Sequence, residues 1–131
     1  MLRRLVVLMV VVLCGSTAAW ADPSADCHPD KDADLSIRAC TTLIEQNPGN
    51  ALAYYNRSVA YYDKGEYDRA IADFTKAIEI EPNANRYSAR AVAYEKKSDN
   101  EQAIADYRRA QAKDPNHHSS KDALKRLGAS P

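Results

Sequence analysis

Cys27, His28 and Cys40 are the side chains best equipped for chemistry: two thiols and an imidazole within fourteen residues. Such a set could bind zinc, carry a redox couple or supply a thiolate nucleophile. The spacing argues against the metal, because dedicated sites present C-x-x-C or H-x-x-x-H pairs and neither occurs here. A catalytic thiol needs a depressed pKa and a neighbouring base, and the sequence shows neither. His117 and His118, adjacent on a turn, read as loop and helix start rather than as a ligand pair. There is no nucleophile–base pair and no glycine-rich phosphate loop. The chain therefore reads as a non-enzyme that needs no metal and no cofactor.

The remaining chemistry of the thiols depends on compartment. Residues 1–21 open with "MLRR", continue through the apolar run Leu5 to Gly15 and end in Ala19, Trp20 and Ala21. That is the pattern of a signal peptide cleaved before Asp22. The apolar run is shorter than the roughly 20 residues of a bilayer span. Cys14 matches a lipoprotein site poorly, because Leu13 stands where a small residue should precede it. The expectation is a periplasmic or secreted protein with no membrane attachment after cleavage. Cys27 and Cys40 survive that cleavage, and in an oxidising compartment an even pair forms a disulfide. Cleavage removes Arg3 and Arg4, leaving 16 basic against 18 acidic residues. No basic stripe results, which excludes the footprint of nucleic-acid binding.

The elements that position these residues repeat. At a shift of 33, Tyr54 falls on Tyr87, Arg57 on Arg90, Tyr61 on Tyr94, Ala70 on Ala103, Phe74 on Tyr107 and Pro82 on Pro115. A period of this size marks stacked supersecondary units. Each unit reads as two helices, about 50–64 and 66–81, then 85–97 and 99–114. Gly65 closes the first helix of one unit, and Ser98 takes the same place in the next as a weaker stop. Asp99 offers an N-cap, with Gln102 three residues on.

These positions resemble the tetratricopeptide repeat. Its pattern of aromatic, Leu-Gly, Tyr, Ala, aromatic and Pro is met by Tyr54, Arg57, Ser58, Tyr61, Ala70, Phe74 and Pro82. Tyr87, Arg90, Ala91, Tyr94, Ala103, Tyr107 and Pro115 meet it again, with Arg in place of Leu in both units. The resemblance implies an all-α fold, a short right-handed superhelical stack of antiparallel helix hairpins. Its parts are an N-terminal segment 22–34, a half-repeat helix 35–48, full repeats 50–82 and 84–115, and a capping helix 119–128 whose apolar side is Ala123, Leu124 and Leu127. About six helices and no sheet are expected. Cys40 aligns with Phe74 and Tyr107, so a Cys27–Cys40 bond would draw the segment "DCHPDKDAD" across the place of the missing helix.

Most of the eight tyrosines fall on repeat-packing sites. Tyr55 and Tyr62 do not: they lie with Val59 on a stripe about 100° from the packing face. The resemblance implies that this stripe, with Asn56, faces a concave groove, continued in the second repeat by Ser88, Ala89, Val92 and Glu95. The other course open to Tyr55 and Tyr62 is burial against the N-terminal half unit. A chaperone-type carboxylate clamp is not expected, because Tyr55 and Val59 stand where its first lysine and asparagine would be. Arg69, Asp73, Lys76 and Glu79 read as a solvated outer face. The function implied is a protein–protein interaction module that captures a protein or peptide partner in a shallow groove. The alternative is a structural repeat protein that self-associates into a homo-oligomer.

Overall fold

The computed structural model describes residues 22–130; the signal-peptide expectation for residues 1–21 lies outside them. Among the described residues seven helices run in order: α1 Pro23–Asp26, α2 Ala33–Gln46, α3 Ala51–Asp63, α4 Tyr67–Ile80, α5 Ala84–Lys96, α6 Asn100–Lys113 and α7 His118–Arg126. No strand occurs among the described residues. The helix beyond the expected six is α1, a single turn. Pro23 presets its φ, and Asp22 accepts from the Ser24 amide at 2.9 Å.

Side-chain caps start most of the longer helices. Asp32, Asn50, Asn83 and Asp99 each accept from a backbone N–H three residues on, at 3.0 to 3.2 Å. Three helices end in the same paired 6→1 and 5→2 bonds: Glu66 to Tyr61 with Gly65 to Tyr62, Asp99 to Tyr94 with Ser98 to Glu95, and Ala129 to Leu124 with Gly128 to Lys125. Each motif needs one left-handed residue, and Gly65 (φ 75°) and Gly128 (φ 68°) supply it without strain. Ser98 is forced to φ 62° to do the same. Ser98→Gly should therefore raise stability by about 0.5–1 kcal/mol, the relief of left-handed strain less glycine's extra chain entropy. Thermal denaturation reads this directly, and an unchanged or lower midpoint would count against it.

Each helix packs on the next, and the apolar contacts repeat by unit. Cys27, Ala39, Cys40 and Ala53 join α1, α2 and α3. Ala70 and Phe74 of α4 and Ala93 of α5 form the next cluster, against which Tyr55, Val59, Tyr61 and Tyr62 of α3 pack. Ala91, Ala103, Tyr107, Ala123 and Leu124 join α5, α6 and α7. Alanine at so many contacts lets backbones approach closely. The Cys27–Cys40 disulfide is formed, with Cα atoms 4.7 Å apart. Segment 22–31 thereby lies where a first helix would complete the half repeat.

The arginines at the leucine positions are not wet flaws in the packing. Arg57 meets Asp73 through two parallel bonds of 2.6 and 2.9 Å and donates a third to Thr41 at 3.0 Å. Arg90 repeats this with Asp106, at 2.7 and 2.9 Å, and with Thr75 at 2.9 Å. The guanidinium of Arg57 lies 5.7 and 6.0 Å from the rings of Tyr54 and Tyr61, and that of Arg90 lies 5.9 Å from both Tyr87 and Tyr94. Asp73 is thus buried, not part of the solvated face expected for it. Each pair stitches three helices: α2, α3 and α4, then α4, α5 and α6.

Candidate functional site

Along α3 the residues Leu52, Tyr55, Val59 and Tyr62 recur at helical spacing and fall on one side. None of the four is fully buried, and Leu52 is 60 % exposed. Across from them α5 offers Ala89 and Val92, the latter 38 % exposed. Phe74 of α4 forms the floor between. Val59, Tyr62, Phe74, Ala89 and Val92 enclose an almost wholly apolar hollow of about 170 Å³. It is open on one side, where no helix among the described residues covers the α3–α5 seam.

Tyr55 and Tyr62 are half-buried here, and not against the half repeat. Tyr55 meets Phe74 edge-to-face at 5.7 Å between centroids, and Tyr62 meets Tyr67 at 5.4 Å. Tyr55 also borders a neighbouring hollow lined by Leu52, Asn83, Asn85 and Arg86. Tyr62 and Val92 border a third, of about 460 Å³, with Glu95, Lys96, Tyr107 and Arg126. Ser88, the repeat mate of Tyr55, is partly buried on α5 and lines none of these three hollows.

Two residues expected to meet a partner are engaged within the chain. Asn56 is 5 % exposed and donates from Nδ2 to the carbonyl of Cys27 at 2.7 Å. Its amide does hold a peptide backbone, and that backbone is the disulfide-tethered segment. Glu95 accepts from both η nitrogens of Arg126, at 2.7 and 2.9 Å, and from the Tyr107 hydroxyl at 2.5 Å. The hydrogen bonds from Arg126, and then that from the Tyr107 phenol, hold the Glu95 carboxyl below its ordinary 4.5 against the opposing effect of burial. Burial and the adjacent carboxylate push the Tyr107 phenol upward. His117 sits at the start of α7, with Nδ1 2.7 Å from Ser120 Oγ and Nε2 3.0 Å from Asn85 Oδ1, so it also ties α7 to α5.

The α5–α7 contact should be sensitive to acid. A depressed carboxyl stabilises the fold fully above its unfolded value and loses that contribution as pH falls through the folded one. The urea midpoint of Glu95→Gln should therefore lie below that of the parent at pH 7, and the two should converge as pH falls below 4.5 and through the folded carboxyl's titration. A gap that does not change with pH would show that the carboxylate charge is immaterial.

Phe74, Arg126 and Leu52 join the groove beyond the residues that the sequence points to. Phe74 occupies a core position of the repeat, and only the hairpin geometry makes it a floor. Arg126 reaches Glu95 only because of the angle at which α7 docks. Leu52 carried a readable signal, since it stands three residues before Tyr55 on the same stripe.

Comparison with known proteins gives a consistent picture. Two family models, each described as tetratricopeptide repeat, match residues 51–84 and 84–117. The mouse serine/threonine-protein phosphatase 5 is 45 % identical over 51 residues, 39 % of this chain and 10 % of that protein. The small glutamine-rich tetratricopeptide repeat-containing protein 2 of Saccharomyces cerevisiae is 41 % identical over 54 residues, 41 % of this chain and 16 % of that protein. The chain thus matches only about a tenth to a sixth of these relatives' lengths. Among solved structures, the Arabidopsis OM64 TPR domain superposes with a TM-score of 0.74 at 30 % identity, covering 82 % of this chain and 88 % of the other. The first TPR of Spaghetti (RPAP3), bound to the HSP90 peptide SRMEEVD, gives 0.70 at 25 % identity over 73 % and 77 %.

Proposed function

Since the chain belongs to the tetratricopeptide repeat family, we propose that this protein–protein interaction module holds a partner segment in the α3–α5 seam. The observation that carries this reading is the apolar hollow of Val59, Tyr62, Phe74, Ala89 and Val92, left open between two first helices. It suits one apolar side chain of a peptide, gripped by aromatic edges that have few rotors to freeze. A 25 % identical neighbour of the same fold holds a peptide, which supports the class of ligand. The place of action is the cell envelope, periplasmic or secreted. The N-terminal signal pattern supports it, as does a disulfide of the kind that oxidising compartments sustain.

Val92 is the cleanest probe. Tyr55 and Tyr62 stack on Phe74 and Tyr67, so alanine there would mix binding with stability. Val92→Asp puts a charge at a partly exposed position and should change stability by no more than about 0.5 kcal/mol. A phage-displayed peptide library panned on oxidised residues 22–131 should enrich sequences with an apolar anchor. Val92→Asp should weaken the selected peptides at least about tenfold, the scale of a hot-spot loss. Equal binding to both proteins would move the site elsewhere.

A further inference from the structure

The inference here deepens that reading and rests on it: it concerns the residue that flanks the apolar anchor. The hollow beside the anchor site shares Tyr62 and Val92 with it and is lined otherwise by Glu95, Lys96, Tyr107 and Arg126. Two cations and one carboxylate meet there. Arg126 reaches across from α7 and engages Glu95 with two bonds, while the Tyr107 hydroxyl donates to the same carboxylate. Lys96 is exposed and takes part in no ion pair among the described residues. With Glu95 answered by Arg126, one positive charge at the mouth of the hollow remains unanswered. It lies about one helical turn from Val92 on α5, in a mature chain that carries a slight excess of acid.

We propose that the partner segment carries a side-chain carboxylate beside its apolar anchor, received by Lys96. The register follows from helix dimensions. Val92 and Lys96 are four residues apart, about 6 Å along α5 at 1.5 Å per residue. That distance corresponds to about two residues of an extended chain or four of a helical one. The acid therefore lies two positions from the anchor in an extended partner. The attraction acts near the surface, so it sharpens selection and on-rate more than it deepens affinity.

The test uses the same library on oxidised residues 22–131, on Lys96→Glu and on Lys96→Ala. The expected result is an apolar residue with Asp or Glu at a fixed offset on the parent protein, and Lys or Arg at that offset on Lys96→Glu. Lys96→Ala should select acids less strongly, without a preference for bases. A synthetic peptide from the parent selection should bind about threefold more weakly when its acid becomes the amide, and the difference should vanish in 1 M salt. Apolar anchors enriched with no charge preference on any of the three proteins would overturn the proposal while leaving the docking seam intact. No enrichment on any of them would remove both.

Discussion

Asp106→Ala should destabilise the fold by about 3–5 kcal/mol, a large share of the 5–15 kcal/mol that holds an ordinary domain together. Asp106 has no solvent exposure and carries three charge-assisted bonds, two from Arg90 and one from Arg109 at 2.7 Å. Removing it strands the Arg90 guanidinium between Tyr87 and Tyr94, largely out of water and with only Thr75 as a polar partner. The cost lies in the uncompensated charge rather than in the pair itself. Arg90→Met/Asp106→Ala should accordingly recover most of the loss, because an apolar stem of similar length refills the space without a charge to solvate. Asp73→Ala, at the less buried pair, should cost less. Urea unfolding of the three variants and the parent decides the matter. A double variant as unstable as Asp106→Ala would show that packing, not charge, sets the penalty.

Opening the Cys27–Cys40 bond is the second large effect. The bond closes a loop of fourteen residues, for which chain entropy gives about 3 kcal/mol. More than the loop is at stake, because the bond holds the Cys27 carbonyl on Asn56 and closes the cluster of Ala39, Cys40 and Ala53. Once the segment leaves, Asn56 loses its partner and the first face of α2 and α3 meets water. Cys27→Ser/Cys40→Ser should unfold at a markedly lower urea concentration than the oxidised parent, and reductant should lower the parent's midpoint while leaving the variant's unchanged. Equal midpoints for oxidised parent and variant would make the bond a passenger.

Much of this architecture is legible in the residues, and the illegible parts share a cause. The period of 33, the turn at Gly65 and the prolines after each second helix mark the hairpins, because each acts within a few residues of itself. The apolar side of α7 is legible for the same reason. The partner of Arg57 is sixteen residues away, and only hairpin geometry brings Asp73 to it. Read along α4 alone, Asp73 alternates with Arg69, Lys76 and Glu79 as a solvated face would. A clue was present, since Arg57 and Asp73 both recur 33 residues later as Arg90 and Asp106, and paired charges that recur together invite pairing. Asn56 and Glu95 lie near the seam, but long-range contacts engage them. A disulfide across the chain supplies the Cys27 carbonyl, and the docking angle of α7 supplies Arg126.

The Thr–Arg–Asp bonds also set a rule of growth, as in a polymer with a head and a tail. Each of the two full hairpins takes a hydroxyl from the helix behind it: Thr41 of α2 serves Arg57, and Thr75 of α4 serves Arg90. The residue at that site on α6, 33 beyond Thr75, is Arg108, whose Nε and one η nitrogen point to the Ser130 carbonyl at 3.4 Å. A further hairpin bearing the same arginine would meet a guanidinium where its predecessors met a hydroxyl. Propagation therefore stops at α6, and α7, with no arginine at that site, seals the end through Ala123 and Leu124. Arrays lengthened by inserting copies between α4 and α5 keep the head-to-tail match, whereas copies appended after α6 would need threonine at position 108 to continue the chain of bonds.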